Sequence, residues 1–273
     1  MHLENFQFPI EEKGVYPYEL FADKGLEHVE FAPVTIFYGN NGSGKSTILN
    51  IIAERIGLTN KTLGNTNEYF DGYVRKCTYT EGGDGIPVDS LMIRSEDIMH
   101  HITNIRKRNA DIDKVVKGWL TKGVEKSRRG TLRAEMMVKE ELETVYEHGG
   151  DSFHNVMVSK LMEKTGEHSN GETAINYFKD RIFPDNLYLL DEPENSMAPD
   201  FQKELADFLC IMAYRLNCQF IMSSHSPFLL SMQGARIYDL DHSPVYQREW
   251  YELDSMKAYQ QLFHKFEDEF DIF

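Results

Sequence analysis

The chain has 273 residues and a mass of 31.7 kDa, and its content of 41% hydrophobic and 12% aromatic residues supplies a core and excludes general disorder. No apolar run approaches the roughly 18 residues that span a bilayer, the three cysteines show no disulfide or metal-binding pattern, and no secretory signal is visible, so we expect a cytoplasmic protein without membrane insertion. The formal net charge of −15 argues against a protein that coats nucleic acid by bulk attraction.

The first part of the chain predicts a strand, a glycine-rich loop and a helix in that order. The first forty residues have the alternation and the β-branched content of strands, and the run 34–38 predicts a buried one. A turn rich in glycine follows at 39–44, and the apolar spacing of 45–56 is helical.

The middle of the chain is polar and then charged. Residues 57–90 are rich in turn formers, the glycines of 82–85 predict a hairpin, and a second buried strand is expected at 90–94. A charged helical pattern runs from 96 to 168. We interpret 96–168 as a helical subdomain inserted into a core made of 1–95 and 169–273.

The last third returns to alternating strands and helices. Strands are predicted at 186–191, 219–224 and 235–240, with a helix at 200–216. Strands that alternate with helices imply a mostly parallel sheet flanked by helices, so the expected fold class is α/β.

A phosphate-binding loop is the strongest motif in the chain. Residues 39–46 fit the pattern G-x-x-x-x-G-K-[ST], which lies between a buried strand and a helix as the motif requires. Glycines let the backbone N–H groups approach a triphosphate, Lys45 reaches its β- and γ-phosphates, and Ser46 ligates Mg²⁺. The residues predicted to surround the nucleotide phosphates are Gly39, Asn40, Asn41, Gly42, Ser43, Gly44, Lys45, Ser46 and Thr47.

Two acidic residues end the apolar strand at 186–191. Asp191 lies where open α/β sheets bind ligands, and it can hold Mg²⁺ largely through the water shell of the ion. Glu192 is the candidate general base that polarises the attacking water. The alternative is that the pair caps the next helix.

Two further motifs flank this acidic pair. His225 follows the next strand and could contact a γ-phosphate or orient the attacking water, although a histidine at a strand end is often structural. Ser169 and Gly171 belong to the sequence Ser-Asn-Gly-Glu before a helix, which by itself is an N-terminal cap followed by a glycine.

In this order the motifs resemble those of ABC-type ATPases. They resemble more closely those of the small bacterial predicted ATPases of the AAA-family type, which are related to RecF and to the structural-maintenance-of-chromosomes (SMC) group. The resemblance spans 34–226 and extends to the strand at 235–240. It implies a P-loop NTPase fold with an ABC-ATPase-like mixed sheet. The signature reads Ser-Asn-Gly-Glu and not Ser-Gly-Gly-Gln, which weakens a transporter interpretation.

The resemblance also implies ATP and Mg²⁺ as ligands and a homodimer that encloses two ATP molecules. Ser169 and Gly171 would then complete the γ-phosphate site of the partner copy, and the segment at Asn195 and Ser196 would cross the interface. The glutamine that usually links Mg²⁺ to the helical insert is absent, and Glu96, or Ser95, is our substitute for it. Tyr16 and Tyr18 are candidates for stacking on adenine. The alternative is that both are ordinary core or loop tyrosines that do not bind the base.

Charge is unevenly distributed. Residues 94–133 contain eleven Lys and Arg against five Asp and Glu, a net of +6, with clusters at 106–108 and 126–129. These clusters could grip nucleic-acid phosphates, form a solvated helix face, or dock onto an acidic surface. The acidic end at 267–273 is expected to be surface or a docking peptide.

The leading hypothesis is a Mg²⁺-dependent ATPase whose hydrolysis cycle opens and closes a homodimer, with Lys45, Glu192 and His225 in the catalytic site. A second is a nucleotide-gated module that binds an effector protein with little turnover. A third and weaker one is the motor subunit of a transporter. A role in DNA processes or in defence against phage follows from the resemblance alone.

Overall fold

A computed structural model describes residues 1–9, 11, 14–58, 68–83, 85–127 and 169–270. The chain divides into two compact units, one made of 1–98 and 170–273 and the other of 99–169. The interpretation of 96–168 as an inserted subdomain remains a prediction. The insert beyond 127, most of the basic cluster at 126–129 and the last three residues of the acidic end lie outside the described residues.

The larger unit is built from nine strands among its described residues. Their bounds are β1 Leu3–Gln7, β2 His28–Glu30, β3 Val34–Tyr38, β4 Thr78–Glu81, β5 Leu91–Arg94, β6 Leu187–Asp191, β7 Gln219–Ser223, β8 Arg236–Asp239 and β9 Tyr246–Arg248. Six of them form one sheet in the order β5–β6–β7–β3–β8–β9. All neighbours in it are parallel except β8 and β9, which confirms the mostly parallel α/β sheet.

The helices alternate with these strands. They are α1 Tyr18–Lys24, α2 Lys45–Ile56, α3 Glu68–Lys76, α4 Ser95–Ser127, α5 Asn170–Lys179, α6 Pro199–Arg215, α7 Pro227–Leu230, α8 Asp254–Lys265 and α9 Glu267–Phe270, with a short 3-10 helix at Trp250–Glu252. Helix α2 packs on β6 and β7, and α6 packs on β7 and α5. Within the described ranges no helix combines the length and the apolar character needed to cross a membrane.

A second, antiparallel sheet has the order β2–β1–β4. The predicted hairpin at 82–85 is therefore wrong, because β4 pairs with β1 while β5 pairs with β6 in the other sheet. The difference follows from the side chains: β4 is polar and largely exposed, as an edge strand can be, whereas Met92 and Ile93 of β5 are buried.

The parallel register brings the loops of the predicted motifs to one edge of the larger sheet. Asp191 at the end of β6 is the register partner of Arg94 on β5 and of Ser223 on β7. Ser223 in turn lies beside Phe37 of β3, shortly before the glycine-rich loop. Residues of β3, β6 and β7 are buried throughout, so the sheet holds these loops on a rigid base.

Candidate functional site

The loop between β3 and α2 has backbone angles that only glycine adopts readily. Gly39 has φ +154° and Gly44 has φ +102°. A Cβ atom would lie 2.7 Å from the Ser43 Oγ atom if added to Gly39, and 2.7 Å from a methyl carbon of Leu20 if added to Gly44. Both glycines therefore allow the chain to turn tightly into the N-terminus of α2, where N–H groups can face an anion.

Lys45 is buried at the start of α2, with 4% of its surface exposed. Its Nζ atom donates to the carbonyl oxygens of Gly39 at 2.8 Å and Asn40 at 3.3 Å. The same atom lies 3.6 Å from Oε1 of Glu192. The ammonium group is thus held inside the loop with one carboxylate beside it.

Asp191 accepts two hydrogen bonds through one oxygen. Its Oδ1 atom accepts from the hydroxyl of Ser46 at 3.1 Å and from the hydroxyl of Ser223 at 2.6 Å. Burial raises the pKa of Asp191, the two hydrogen bonds act in the opposite direction, and the charges of Glu192 and Glu96 raise it further. A cation beside this carboxylate would offset the burial that opposes its charge.

Glu192 lies in a left-handed backbone conformation with φ +47°. Its N–H donates to the Ser223 hydroxyl oxygen at 2.9 Å, and the Asn195 amide donates to its Oε2 atom at 3.1 Å. Non-glycine residues avoid this region, and such strain clusters at functional sites. The remaining oxygen, Oε1, faces Lys45 and His225.

His225 completes this group of three side chains. Its Nε2 atom lies 3.8 Å from Oε1 of Glu192, is shielded from solvent, and has no hydrogen-bond partner among the described residues. Burial lowers the pKa of the ring, the charge of Lys45 lowers it further, and Glu192 and Asp241 act in the opposite direction. A neutral imidazole is therefore favoured near pH 7.

The other predicted site residues are placed less centrally. Glu96 is exposed in the first turn of α4, two residues after the register partner of Asp191, and its charge acts on the Asp191 carboxyl group. Gly171 is buried in α5, while Ser169 is exposed and belongs to the smaller unit. The exposed residues at the tip of the glycine-rich loop are Asn40, Asn41 and Gly42, and the N–H of Asn40 donates to Asp241 at 2.7 Å.

The two adenine-stacking candidates differ in surroundings. Tyr18 is 3% exposed and its ring meets Tyr73 edge to face at 4.8 Å, so it belongs to the core. Tyr16 is 36% exposed, and its hydroxyl lies 3.1 Å from that of Thr47 in the third position of α2. Of the two, Tyr16 is the exposed one, and its ring is stacked near that of Phe70 with the centroids 6.4 Å apart.

The residues present fit Mg²⁺ and a phosphate ester. The Ser43 hydroxyl is buried in the loop without a hydrogen-bond partner among the described residues, which leaves it available to a phosphate oxygen. Ser46 and Asp191 place a hydroxyl and a carboxylate together, which are ligands that Mg²⁺ prefers. In the described part of the chain no group of three or more His, Cys, Asp or Glu side chains could hold a metal ion.

Three residues of this region were missed by sequence reasoning. Ser223 and Asp241 contact the site because β7 and β8 lie on either side of β3, an order that no local pattern reveals. Glu194 is buried beside the His225 loop. A third acid so soon after Asp191 and Glu192 was the available signal.

Comparisons with known proteins locate a family match in this part of the chain. Residues 179–231 match the family described as "AAA domain, putative AbiEii toxin, Type IV TA system". No curated protein matches the chain.

The comparison with solved structures found several that resemble this chain. The SMC head domain from Thermotoga maritima is 13% identical with a TM-score of 0.40, covering 91% of this chain and 99% of its own. A nucleotide-free ATP-binding cassette from an ABC transporter is 15% identical with a TM-score of 0.44, covering 92% and 94%. The Pyrococcus furiosus Smc head domain with an extended coiled coil, bound to the C-terminal domain of ScpA, is 14% identical with a TM-score of 0.39, covering 86% and 94%.

The matched segment contains both the acidic end of β6 and the His225 loop, and the glycine-rich loop lies beside them at the same edge of the sheet. This family match over 179–231 supports the resemblance that the order of motifs predicted, which is to ABC/SMC-like ATPases of the AAA type.

Proposed function

We propose that the chain binds Mg²⁺ and ATP at the glycine-rich loop and hydrolyses the γ-phosphate bond. The observation that carries this is the convergence of three groups on one point: Oε1 of Glu192 lies 3.6 Å from the Lys45 ammonium and 3.8 Å from Nε2 of His225. A site for binding alone would need the cation but has no use for a carboxylate held in a strained conformation beside it.

Each side chain has a part in this reaction. Lys45 exchanges the carbonyl oxygens of its own loop for β- and γ-phosphate oxygens and stabilises their developing charge. Glu192 accepts a proton from the attacking water, which requires that it stay ionised. Ser46 and Asp191 would hold Mg²⁺, which neutralises phosphate charge when bound.

His225 orients the attacking water or the γ-phosphate. Its neutral ring carries one N–H and one lone pair, so Nε2 can donate to a phosphate oxygen or accept from water according to the tautomer. The 3.8 Å gap to Glu192 is too long for a hydrogen bond and leaves these two groups free to engage a shared third partner.

We further propose that ATP joins two copies of the chain. Asn195 and Ser196 are exposed, three and four residues after Glu192, which suits a segment that meets a second copy. Ser169 and Gly171 of that copy would complete the γ-phosphate site, with the N-terminus of α5 directed at the anion. ATP would then hold the dimer closed, and hydrolysis would release it.

Substitution of Glu192 by glutamine tests the reaction. We expect Glu192→Gln to lower Mg²⁺-dependent phosphate release by at least about 100-fold, the contribution of a general base, while ATP binding is retained. The matched control is Glu204→Gln, the same chemical change on the exposed face of α6, where Glu204 pairs with Lys179 at 2.8 Å. Unchanged turnover in Glu192→Gln would remove the proposed base.

The same experiment separates hydrolysis from gated binding. The proposed ATPase predicts measurable turnover in the wild type and an ATP-bound dimer trapped by Glu192→Gln, visible by light scattering. Stable ATP-dependent association of the wild type with turnover at background would instead identify a nucleotide-gated binding module.

The matching family suggests one biological role for the ATP cycle, because its description names a putative AbiEii toxin of a type IV toxin–antitoxin system. We propose that the ATP cycle restrains growth, with a DNA-related or phage-defence role as the broader setting. Induced expression should slow growth in the wild type and spare it in Lys45→Ala, at equal protein levels. Equal growth in both strains would exclude this role.

A further inference from the structure

Glu194 is a buried carboxylate that the reaction described above does not use. It lies two residues after the proposed base and is 9% exposed. One oxygen, Oε1, accepts hydrogen bonds from the Ser224 hydroxyl at 2.8 Å, the His225 N–H at 2.6 Å and the Ser226 N–H at 3.1 Å. All three donors belong to the loop that carries His225.

These hydrogen bonds supply acceptors for backbone N–H groups that have no partner strand in the sheet. Strand β7 ends at Ser223, and the Ser224 N–H still donates to the Phe37 carbonyl oxygen at 3.4 Å. The next two N–H groups, those of His225 and Ser226, donate to Glu194 instead. Two successive N–H groups directed at one point form an anion-binding concavity, and Glu194 fills it with a carboxylate of the same chain. Burial raises the pKa of Glu194, and these hydrogen bonds act in the opposite direction. In its ionised form the side chain holds the loop through hydrogen bonds of the stronger, charge-assisted kind.

A second side chain ties the same two loops together. Gln202 in α6 accepts from the Ser226 hydroxyl at 2.8 Å and donates to the Met197 carbonyl oxygen at 2.9 Å. The segment 192–197 and the loop 224–226 are therefore linked at two points, and a displacement of one acts on the other.

The segment that Glu194 belongs to is strained on both sides of it. Glu192 has φ +47° and Ser196 has φ +65°, values that side-chain-bearing residues rarely adopt. Such a conformation persists only where surrounding contacts hold it in place, and Glu194 makes three of those contacts.

We propose that Glu194 is the positioning residue for His225: its carboxylate holds the 224–226 loop so that the ring faces Glu192, and it passes movement of the exposed segment at Asn195 and Ser196 to that ring. The inference rests on the proposed hydrolysis at Glu192. It assigns Glu194 no contact with substrate. The position of the His225 ring would therefore depend on the conformation of Asn195 and Ser196, the segment that would contact a second copy of the chain.

Kinetics of single and double variants test the positioning. Removing the carboxylate in Glu194→Ala should lower kcat by the same factor as His225→Ala, within about twofold, and leave KM for ATP unchanged. The double variant should be no slower than His225→Ala alone, because a ring that is already absent cannot be misplaced. Losses that multiply in the double variant, or wild-type turnover in Glu194→Ala, would overturn the proposal.

Glu194→Gln keeps the side-chain volume and one acceptor oxygen. It can therefore replace Glu194→Ala in the kinetic comparison if Glu194→Ala does not fold. Its kcat should lie between those of the wild type and His225→Ala, with Glu204→Ala as the surface control. A kcat for Glu194→Gln equal to that of the wild type would contradict a role for the charged acceptor.

A spectroscopic measurement makes the test independent of turnover. The ring signal of His225, assigned by its absence in His225→Ala, should shift or broaden in Glu194→Gln without nucleotide, while the other histidine signals stay in place. An unmoved His225 signal would overturn the positioning role even in an active enzyme. A moved signal in a protein without turnover would retain the positioning and reject the hydrolysis.

Discussion

The charge state of His225 depends on the charged groups around its ring. The ammonium of Lys45, which lies 3.6 Å from Glu192, opposes a second positive charge on His225. A γ-phosphate would bring negative charge to the same point and give the Lys45 ammonium a new partner. The site therefore presents a buried ammonium and a neutral histidine to an anion.

This arrangement predicts that His225 titrates below the ordinary histidine value of 6.5. Because the unfolded chain would bind the proton first, the contribution of His225 to stability is present above about 6.5 and falls as the pH drops from there through the lower pKa of the folded state. A ring-proton NMR titration, with the signal assigned by its loss in His225→Gln, measures the midpoint.

The matched variant is Lys45→Met, which removes one of the two causes of the shift while keeping a side chain of similar length in the buried position. Its His225 midpoint should be higher than that of the wild type. A wild-type midpoint at or above 6.5, or no response to Lys45→Met, would show that the ring is more solvated than its contacts indicate.

At the scale of elements, Gly171 has a packing role that is independent of any nucleotide. Helix α5 lies against α6, and a Cβ atom added to Gly171 would fall 2.2 Å from a ring carbon of Phe201. We expect Gly171→Ala to lower the free energy of unfolding by about 1–3 kcal/mol, because a well-packed contact must open. Urea unfolding measures the change.

Gly72 in α3 provides the control for this prediction. A Cβ atom there would meet only the Tyr18 hydroxyl, at an ordinary 3.8 Å, so Gly72→Ala should raise stability by up to about 1 kcal/mol through helix propensity alone. If Gly171→Ala left stability unchanged and reduced only turnover, the glycine would be needed for the site and not for the packing of the two helices.

The elements also show what local patterns could predict. Strands β3, β6 and β7 were predicted because each is a short apolar run that ends in a turn signal or a polar motif. Helices α1 and α3 were missed because each is under ten residues long and lies in a stretch that reads as strand or as polar turn. Strand pairing was the main failure: glycines at 82–85 indicate a turn, but the partners of β4 and β5 are chosen by distant strands.

The same limit applies to the site. The glycine-rich loop, Asp191, Glu192 and His225 could be grouped because they belong to motifs of fixed spacing, and the structure places them at one edge of the sheet. Ser223, Glu194 and Asp241 could not, because their contacts arise from the order of strands β6, β7, β3 and β8. Motifs therefore group the residues that we propose to act on a ligand, and the tertiary fold identifies the residues that hold them in place.

At the scale of the whole molecule, the proposed dimer assigns the parts of one site to two copies. The glycine-rich loop, Asp191, Glu192 and His225 come from one chain, where they already lie together. Ser169 and Gly171 would come from the other. A closed ATP dimer of this kind has two equivalent sites related by a two-fold axis. A mixed dimer can therefore be formed from two variants, each with a different part of the site disabled.

Mixing two inactive variants tests this division. Lys45→Ala disables the loop and Ser169→Arg disables the signature, so neither variant should hydrolyse ATP alone, but a mixed dimer has one site with both parts intact. In an equal mixture half of the dimers are mixed, and phosphate release should recover to about a quarter of the wild-type rate.

Mixing Lys45→Ala with Glu192→Gln is the control. The same chain supplies Lys45 and Glu192 to each site, so no intact site can form in this mixture. Recovery in the first mixture and none in the second would follow only if the signature acts on the nucleotide of its partner; equal recovery, or none in either, would contradict the shared site.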